Sequence, residues 1–308
     1  MENYNIKNKI VTIILTYNEE KSIKFAIQSA KNISNYIYIV DSFSKDKTVQ
    51  ISKSLGAKIF KHKFINHSKQ FNWAIKKINP KDKWILRLDA DEYLEKDLII
   101  EIRKKFNNLD KDASGITFKL KEKFLGKQIR FGGRENLRLL RLWKYGFGKV
   151  EERWMDESVY LYDGKIINFN NKIVNDNSKN IYFYMNKHIN YATKEAVEVI
   201  IQKYNLINQN KKINKKINFS KKLKLYLKEK IYNKLPYQIS TSLYFIFRYF
   251  ILLGFLDGKI GFLYHFIQGY WYRVLVGSKV EEIEKQIKNL KSKKTIKKKI
   301  FLLTKCKI

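Results

Sequence analysis

Four short apolar runs, at residues 10–15, 36–40, 57–60 and 84–88, are separated by segments whose apolar residues recur at helical spacing. Between the first two, Ile23, Ala26, Ile27 and Ala30 line one helical face. Further helices are expected over 46–55, closed by Gly56, and over 67–78 and 96–106. Short strands alternating with helices of this length build βαβ units, and hence an α/β domain with a parallel sheet. From residue 113 the pattern loosens. Strands are expected at 116–120, 137–143 and 165–169, punctuated by glycines, as an irregular mixed extension of the first sheet. A polar, Asn-rich stretch follows at 168–180, and from 182 to about 234 the pattern is helical and basic.

Two apolar stretches, 239–256 and 260–277, flank Asp257-Gly258-Lys259. Each is about 18 residues, the lower edge for crossing a bilayer. Arg248 interrupts the first, and His265, Gln268 and Arg273 the second. Spanning helices rarely carry such groups. An aromatic-rich helical hairpin lying in a membrane interface fits better than a span or a soluble core hairpin. The expected organisation is an α/β domain at 1–180, divided near 110, and a basic helical region at 181–308 that carries the hairpin 239–277 and a basic tail 279–308.

Charge matters here through its position. The 308 residues hold 63 Lys and Arg against 29 Asp and Glu, a net +34. Such an excess implies an anionic partner or surface, although a coding bias toward Lys, Ile and Asn would also inflate it. Residues 211–230 contain nine Lys and one Glu, and residues 285–308 contain ten Lys and no acid. In the tail, Val280, Ile283, Ile287 and Leu290 recur at helical spacing, an amphipathic pattern suited to a membrane surface. A single cysteine, Cys306, excludes an intrachain disulfide, and four histidines make a His-based metal site a poor expectation. The first apolar run is too short for a signal sequence, so the expected location is cytoplasmic, peripheral at the inner face of the cell membrane.

In open α/β sheets ligands bind beyond the carboxyl ends of the strands. The first strand is followed by Thr16-Tyr17-Asn18-Glu19-Glu20, the second by Asp41-Ser42-Phe43-Ser44-Lys45-Asp46-Lys47-Thr48, and the fourth by Asp89-Ala90-Asp91-Glu92. Two carboxylates two residues apart at a strand end can converge on a hard divalent cation that also binds phosphate oxygens. Glu92 and Asp97 read as helix caps, as do Asp46 and Thr48. Tyr17 offers a π-face to a base or ribose, or else closes the core at a strand end. Asp41 can accept from a nucleobase N–H or cap a turn.

Taken together, these three segments resemble the family 2 glycosyltransferases of the GT-A fold, a nucleotide-sugar-binding, Rossmann-like mixed sheet flanked by helices. Arg134-Glu135, Leu139-Leu140-Arg141-Leu142-Trp143 and Glu152-Arg153-Trp154-Met155-Asp156-Glu157 resemble acceptor-side segments of bacterial cell-surface polysaccharide and lipopolysaccharide members. Gly254 to Gly258, Gly261-Phe262 and Tyr270 to Arg273 resemble their membrane-associated hairpin. Leu15 departs from the family, which often has proline there.

The resemblance implies nucleotide binding by Tyr17, Asn18, Glu19, Asp41, Lys69 and Asp89. It implies a Mg²⁺ or Mn²⁺ ion held by Asp91 with Asp89, and a catalytic base at Glu157 or, second, Asp156. Arg134 and Arg141 would serve the acceptor and phosphate side. The implied reaction is inverting transfer from a nucleotide sugar, UDP-linked by family habit, to a lipid-linked or cell-surface glycan. The rival readings are a nucleotidyltransferase on a related fold, disfavoured because the first strand leads into no glycine-rich loop, a catalytically dead homologue, and a nucleic-acid- or anionic-surface-binding protein. No nucleic acid is expected, because the lysines cluster outside the α/β unit.

Overall fold

The computed structural model describes residues 2–151, 154, 158–177, 179–207 and 235–306. The chain divides into two compact units, Met1–Lys179 and Asn180–Ile308.

In the first unit, helix α1 (Glu2–Lys9) leads into strand β1 (Ile10–Thr16). Then follow α2 (Ile23–Ala30), β2 (Tyr36–Asp41), α3 (Thr48–Ser54), β3 (Lys58–Lys61), α4 (His67–Ile78), β4 (Trp84–Asp89), β5 (Glu92–Leu94) and α5 (Lys96–Lys105). The second half adds β6 (Ala113–Phe124), β7 (Lys127–Ile129), β8 (Arg138–Lys144), β9 (Gly148–Val150), β10 (Val159–Leu161) and β11 (Lys165–Asn177). Among the described residues these strands form a nine-stranded sheet in the order β3-β2-β1-β4-β8-β6-β11-β5, with β7 on β6, and a separate β9–β10 pair. The first four strands run parallel and β8 pairs antiparallel to both β4 and β6, so the sheet is mixed.

β1 is apolar on both faces because helices cover both. Ile10 and Ile14 pack with Ile23 and Ile27 of α2 and Leu98 and Ile102 of α5. Val11 and Ile13 belong to the opposite layer, with Phe71 and Ala74 of α4 and Trp143 of β8. A continuous apolar run bounded by turn residues is what a central parallel strand requires. At its end Thr16 lies beside Asp41, and Leu15 beside Asp89. Three chemically rich segments therefore leave the sheet at one edge.

Two elements differ from the sequence expectation. α2 begins at Ile23, because residues 19–22 are tied up in a turn, with the Ser22 N–H donating to the Glu19 carbonyl. The Asn-rich stretch after residue 168, expected as a polar connection, is mostly strand, since β11 runs to Asn177. β11 pairs parallel with β6 and, over Ile173–Asn175, antiparallel with β5, so that part is paired on both sides. Phe169, Ile173 and Val174 are buried, while Asn175 and Asn177 donate to the buried Glu122 carboxylate.

The second unit is helical. α6 (Ile181–Lys203) is followed by helices over Tyr237–Ile246, Gly258–His265, Tyr272–Ile287 and Lys293–Thr304, with π-turns at Phe247–Ile251 and Phe266–Trp271. No single helix among the described residues is long and apolar enough to cross a membrane. Tyr237–Ile251 and Gly254–Ile287 together are, but they are bent by 69° at the break, where Leu253 adopts φ +58°. Leu243, Phe247, Phe250, Ile251, Phe255 and Leu256 are exposed on this bent pair, while Arg248, Asp257 and His265 are buried in it. The expected amphipathic stripe of the tail is spent differently: Ile283 and Ile287 are buried within the unit. The basic segment 211–230 lies outside the described residues.

Candidate active site

The loops after β1 and β2 are sewn together. The Ser42 N–H donates to the Thr16 carbonyl at 3.0 Å, and the Asn18 N–H to Ser44 Oγ at 3.0 Å. Lys45 N–H returns a bond to Asn18 Oδ1 at 2.8 Å, and the Glu19 N–H donates to Thr48 Oγ1 at 2.7 Å. Asp46 accepts from the Glu20 N–H and the Thr48 N–H, hydrogen bonds that hold its carboxyl below the usual range against the opposing effect of burial. Glu19 is held in an ion pair by Lys179 at 2.7 Å. Short polar side chains thus replace water as partners for backbone groups that leave the sheet edge.

Asp41 is the hub of that stitching. It is 0% exposed. Oδ1 accepts from Thr16 Oγ1 at 3.2 Å and from Ser44 Oγ, and Oδ2 accepts from the Ser44 N–H at 3.0 Å. It organises the loop, with its carboxylate taken up by Thr16 and Ser44. Tyr17, by contrast, is 54% exposed. Two non-glycine residues here are left-handed, Asn18 at φ +55° and Phe43 at φ +64°. Asparagine tolerates that conformation, but for a bulky residue it is an outlier costing about 1–2 kcal/mol.

At the end of β4, Asp89 keeps 35% of its side chain exposed and meets two guanidinium groups. Arg141 of β8 donates to Oδ2 at 3.0 Å, and Arg87 Nε lies 3.5 Å from Oδ1. Burial opposes ionisation of Asp89, but Arg141 and Arg87 outweigh it and hold the carboxyl well below the usual carboxylate range. Arg141 also binds Glu92, which is 3% exposed and accepts the Asp89 backbone N–H at 3.1 Å. Burial pushes the Glu92 carboxyl up to about 7, against the pull of Arg141. Asp91 is half-buried, and its carbonyl accepts from the Asp176 N–H at 2.8 Å.

The start of α4 completes this edge. Asn66 caps it, accepting from the Lys69 N–H at 2.8 Å, and Lys69 itself is exposed on the first turn. Gln70 donates to Ser42 Oγ at 3.1 Å, and His67 is close enough to Asp89 to favour its charge. Further along α4, Asn72 holds β9 through both the carbonyl and N–H of Val150, at 3.0 and 3.4 Å. Arg134 donates to the buried Glu122 at 2.9 Å, so its charge is already committed to that carboxylate. The candidate bases Asp156 and Glu157 lie outside the described residues, between β9 and β10, whose pairing joins Val150 to Val159.

Tyr17, Asn18, Glu19, Asp41, Asp89, Asp91, Lys69 and Arg141 thus come from four strands and one helix. Sequence reasoning passed over Glu92 as a cap and did not single out Arg87, Ser44, Gln70 or Lys179. The signal for Glu92 was its place directly after the Asp pair. Among the described residues no three His, Cys, Asp or Glu side chains form a group that could hold a metal ion. An acidic pair of this kind suits a hard cation that takes most of its oxygens from phosphate and water.

A model of glycosyl transferase family 2 matches residues 11–174, more than half the chain and the span that contains Tyr17, Asp41, Asp89, Asp91 and Arg141. The chain belongs to this family. Among its relatives, an uncharacterized glycosyltransferase of Rickettsia bellii is 41% identical over 107 residues, 35% of this chain and 36% of the relative. One of Rickettsia typhi is 31% identical over 189 residues, 60% of this chain and 56% of the relative. The chain thus spans only about a third to just over half the length of these relatives. The mannosyltransferase PcManGT of Pyrobaculum calidifontis, solved in complex with GDP-Man and Mn²⁺, superposes with a TM-score of 0.54 at 12% identity. That match covers 89% of this chain and 87% of PcManGT, which establishes a shared fold.

Proposed function

We propose that this glycosyltransferase moves a sugar, with inversion, from a UDP-linked donor to a hydroxyl of a lipid-linked or cell-surface glycan. The observation that carries the reading is the convergence of Tyr17, Asp89 and Asp91 on one sheet edge, with Asp89 held ionised by two buried arginines. Tyr17 supplies an exposed ring for the base. Asp91, with Asp89 beside it, is the residue to hold a Mg²⁺ or Mn²⁺ ion. Such an ion, when bound, neutralises charge on the departing diphosphate, typically by several kcal/mol. Arg141 and Arg87 keep the Asp89 carboxylate charged and oriented before substrate arrives.

The acceptor hydroxyl must lose a proton as it attacks. A positioned carboxylate contributes about 10²–10⁴-fold to such a step. Glu157 is assigned that role, with Asp156 second. Of the strands flanking them, β9 is anchored to α4 through Asn72 and Val150, and β10 pairs with β9.

Attachment to the inner face of the cell membrane is part of the same proposal. Support comes from the helical unit, where large apolar side chains face outward and Arg248, Asp257 and His265 are enclosed. The exposed lysines at 291, 294 and 298 add attraction to anionic headgroups, about 1 kcal/mol per lysine near the surface.

Thermal unfolding in a panel of nucleotide sugars, with and without Mn²⁺, tests the donor and the metal. A ligand at about 100 times its Kd stabilises by about 2.7 kcal/mol. UDP-sugar with Mn²⁺ is expected to raise the unfolding midpoint of the native chain and to leave Asp91→Ala unmoved. An equal rise for Asp91→Ala, or no rise with any nucleotide sugar, overturns the assignment.

A further inference from the structure

Phe43 is the most conspicuous misfit at the sheet edge. Its backbone is left-handed at φ +64°, a conformation that glycine adopts freely and a bulky side chain resists. Its ring is nevertheless 54% exposed, so it gains little burial in return. Residues held in strained backbone states with no packing reward concentrate where a ligand uses them.

The cross-loop hydrogen bonds place this ring. Ser42 N–H bonds to the Thr16 carbonyl, and Asn18 N–H bonds to Ser44 Oγ. Tyr17 is the residue between Thr16 and Asn18, and Phe43 is the residue between Ser42 and Ser44. The two aromatics therefore stand at matching places on the two paired loops, each flanked by the bonds that hold those loops together. Both are exposed to the same extent, 54%. Asp41, two residues before Phe43, is buried and accepts from the Ser44 N–H of the same turn.

We propose that Phe43 is a second aromatic contact for the nucleobase, opposite Tyr17, so that a flat heteroaromatic base is held between two rings at the ends of β1 and β2. The inference deepens the nucleotide-sugar reading and rests on it. Every base has a π-face, and stacking on one aromatic side chain is commonly a five- to hundredfold effect on affinity. The diphosphate, held at the Asp89 and Asp91 end, gains nothing from Phe43.

The test is equilibrium binding by the full chain of UDP, GDP, CDP and dTDP, and of inorganic pyrophosphate, all with Mg²⁺ present. Phe43→Gly and Phe43→Leu are expected to weaken the preferred nucleoside diphosphate about tenfold and to leave pyrophosphate within twofold. Phe43→Tyr keeps the ring and should bind as the native chain does. Phe43→Gly also relieves the left-handed strain, so its thermal midpoint should rise while its affinity falls, which separates lost contact from lost folding. Nucleotide binding by Phe43→Gly and Phe43→Leu within twofold of native, while Tyr17→Ala still loses affinity, overturns the role of Phe43 and leaves the nucleotide reading intact. Equal losses for nucleotide and pyrophosphate also overturn it. Failure of the native chain to bind any of the four nucleotides overturns both.

Discussion

Glu92 shows how much of a site is decided one residue behind the motif. It stands directly after the Asp89-Ala90-Asp91 triplet, yet it turns inward, where it shares Arg141 with Asp89 and accepts the Asp89 backbone N–H. Removing one member of a buried charge cluster leaves the others uncompensated, a cost of about 3–5 kcal/mol. Glu92→Ala is therefore expected to unfold at clearly lower urea than native, by about 3 kcal/mol. Glu92→Gln keeps an acceptor for the Asp89 N–H and should lose on the order of 1 kcal/mol. Urea unfolding followed by tryptophan fluorescence measures both. At the proposed base, Glu157→Gln is expected to lower kcat by about 10²–10⁴-fold with donor affinity unchanged. Steady-state transfer kinetics check this, and an unaltered kcat would move the role to Asp156. The Asp pair was legible in the sequence because two carboxylates follow an apolar strand. The inward turn of Glu92 was not, because nothing local marks a partner 49 residues away on an antiparallel strand.

Elements carry these residues to one place, and helix α4 is the clearest case. Its side-chain cap, Asn66, fixes the first turn from which Gln70 reaches Ser42 and His67 approaches Asp89. Asn66→Ala is expected to cost about 1 kcal/mol and to weaken nucleotide binding through fraying of that turn. Asn66→Asp, which caps equally well, should restore both, as seen in thermal unfolding and binding titrations. In the helical unit, an added Cβ at Gly277 would lie 2.3 Å from the Tyr237 ring. Gly277→Ala should destabilise by about 1–3 kcal/mol through overpacking, despite alanine's better helix propensity. Calorimetry reads the sign directly, since propensity alone predicts a gain. The four parallel strands were readable because each is a short apolar run between helical segments, with β1 and β4 buried almost throughout and the edge strand β3 exposed at both ends. β11 was not, because its asparagines are satisfied by Glu122 and by two neighbouring strands that only the fold brings alongside.

Across the whole molecule, solution conditions are expected to act on the helical unit in two ways. His188 is buried, donates from Nδ1 to the Tyr184 carbonyl and meets Gln268 at Nε2. Burial pushes its pKa down to about 4. The unfolded chain then binds the proton more readily than the folded one. The stabilisation is complete above about pH 6.5 and is lost as pH falls toward 4, by up to about 3 kcal/mol. Urea midpoints at pH 7.5 and 5 should differ for the native chain and converge in His188→Gln. Flotation with vesicles containing phosphatidylserine is expected at low salt and should weaken at 0.5 M salt, where the Debye length is short. Absence of binding at low salt would refute membrane attachment.

The sequence by itself determined the alternation of strand and helix, the acidic and aromatic residues at three strand ends, and the placing of the basic charge, because each is a local pattern of side-chain type. The tertiary structure alone decided that Asp41 is enclosed by Ser44, that Asp89 faces two arginines, that Arg134 is committed to Glu122, and that Ile283 and Ile287 turn inward. Each of those depends on which distant segments pack together, and sheet order, with β8 inserted between β4 and β6, is settled by the packing of the domain rather than by any local run of residues.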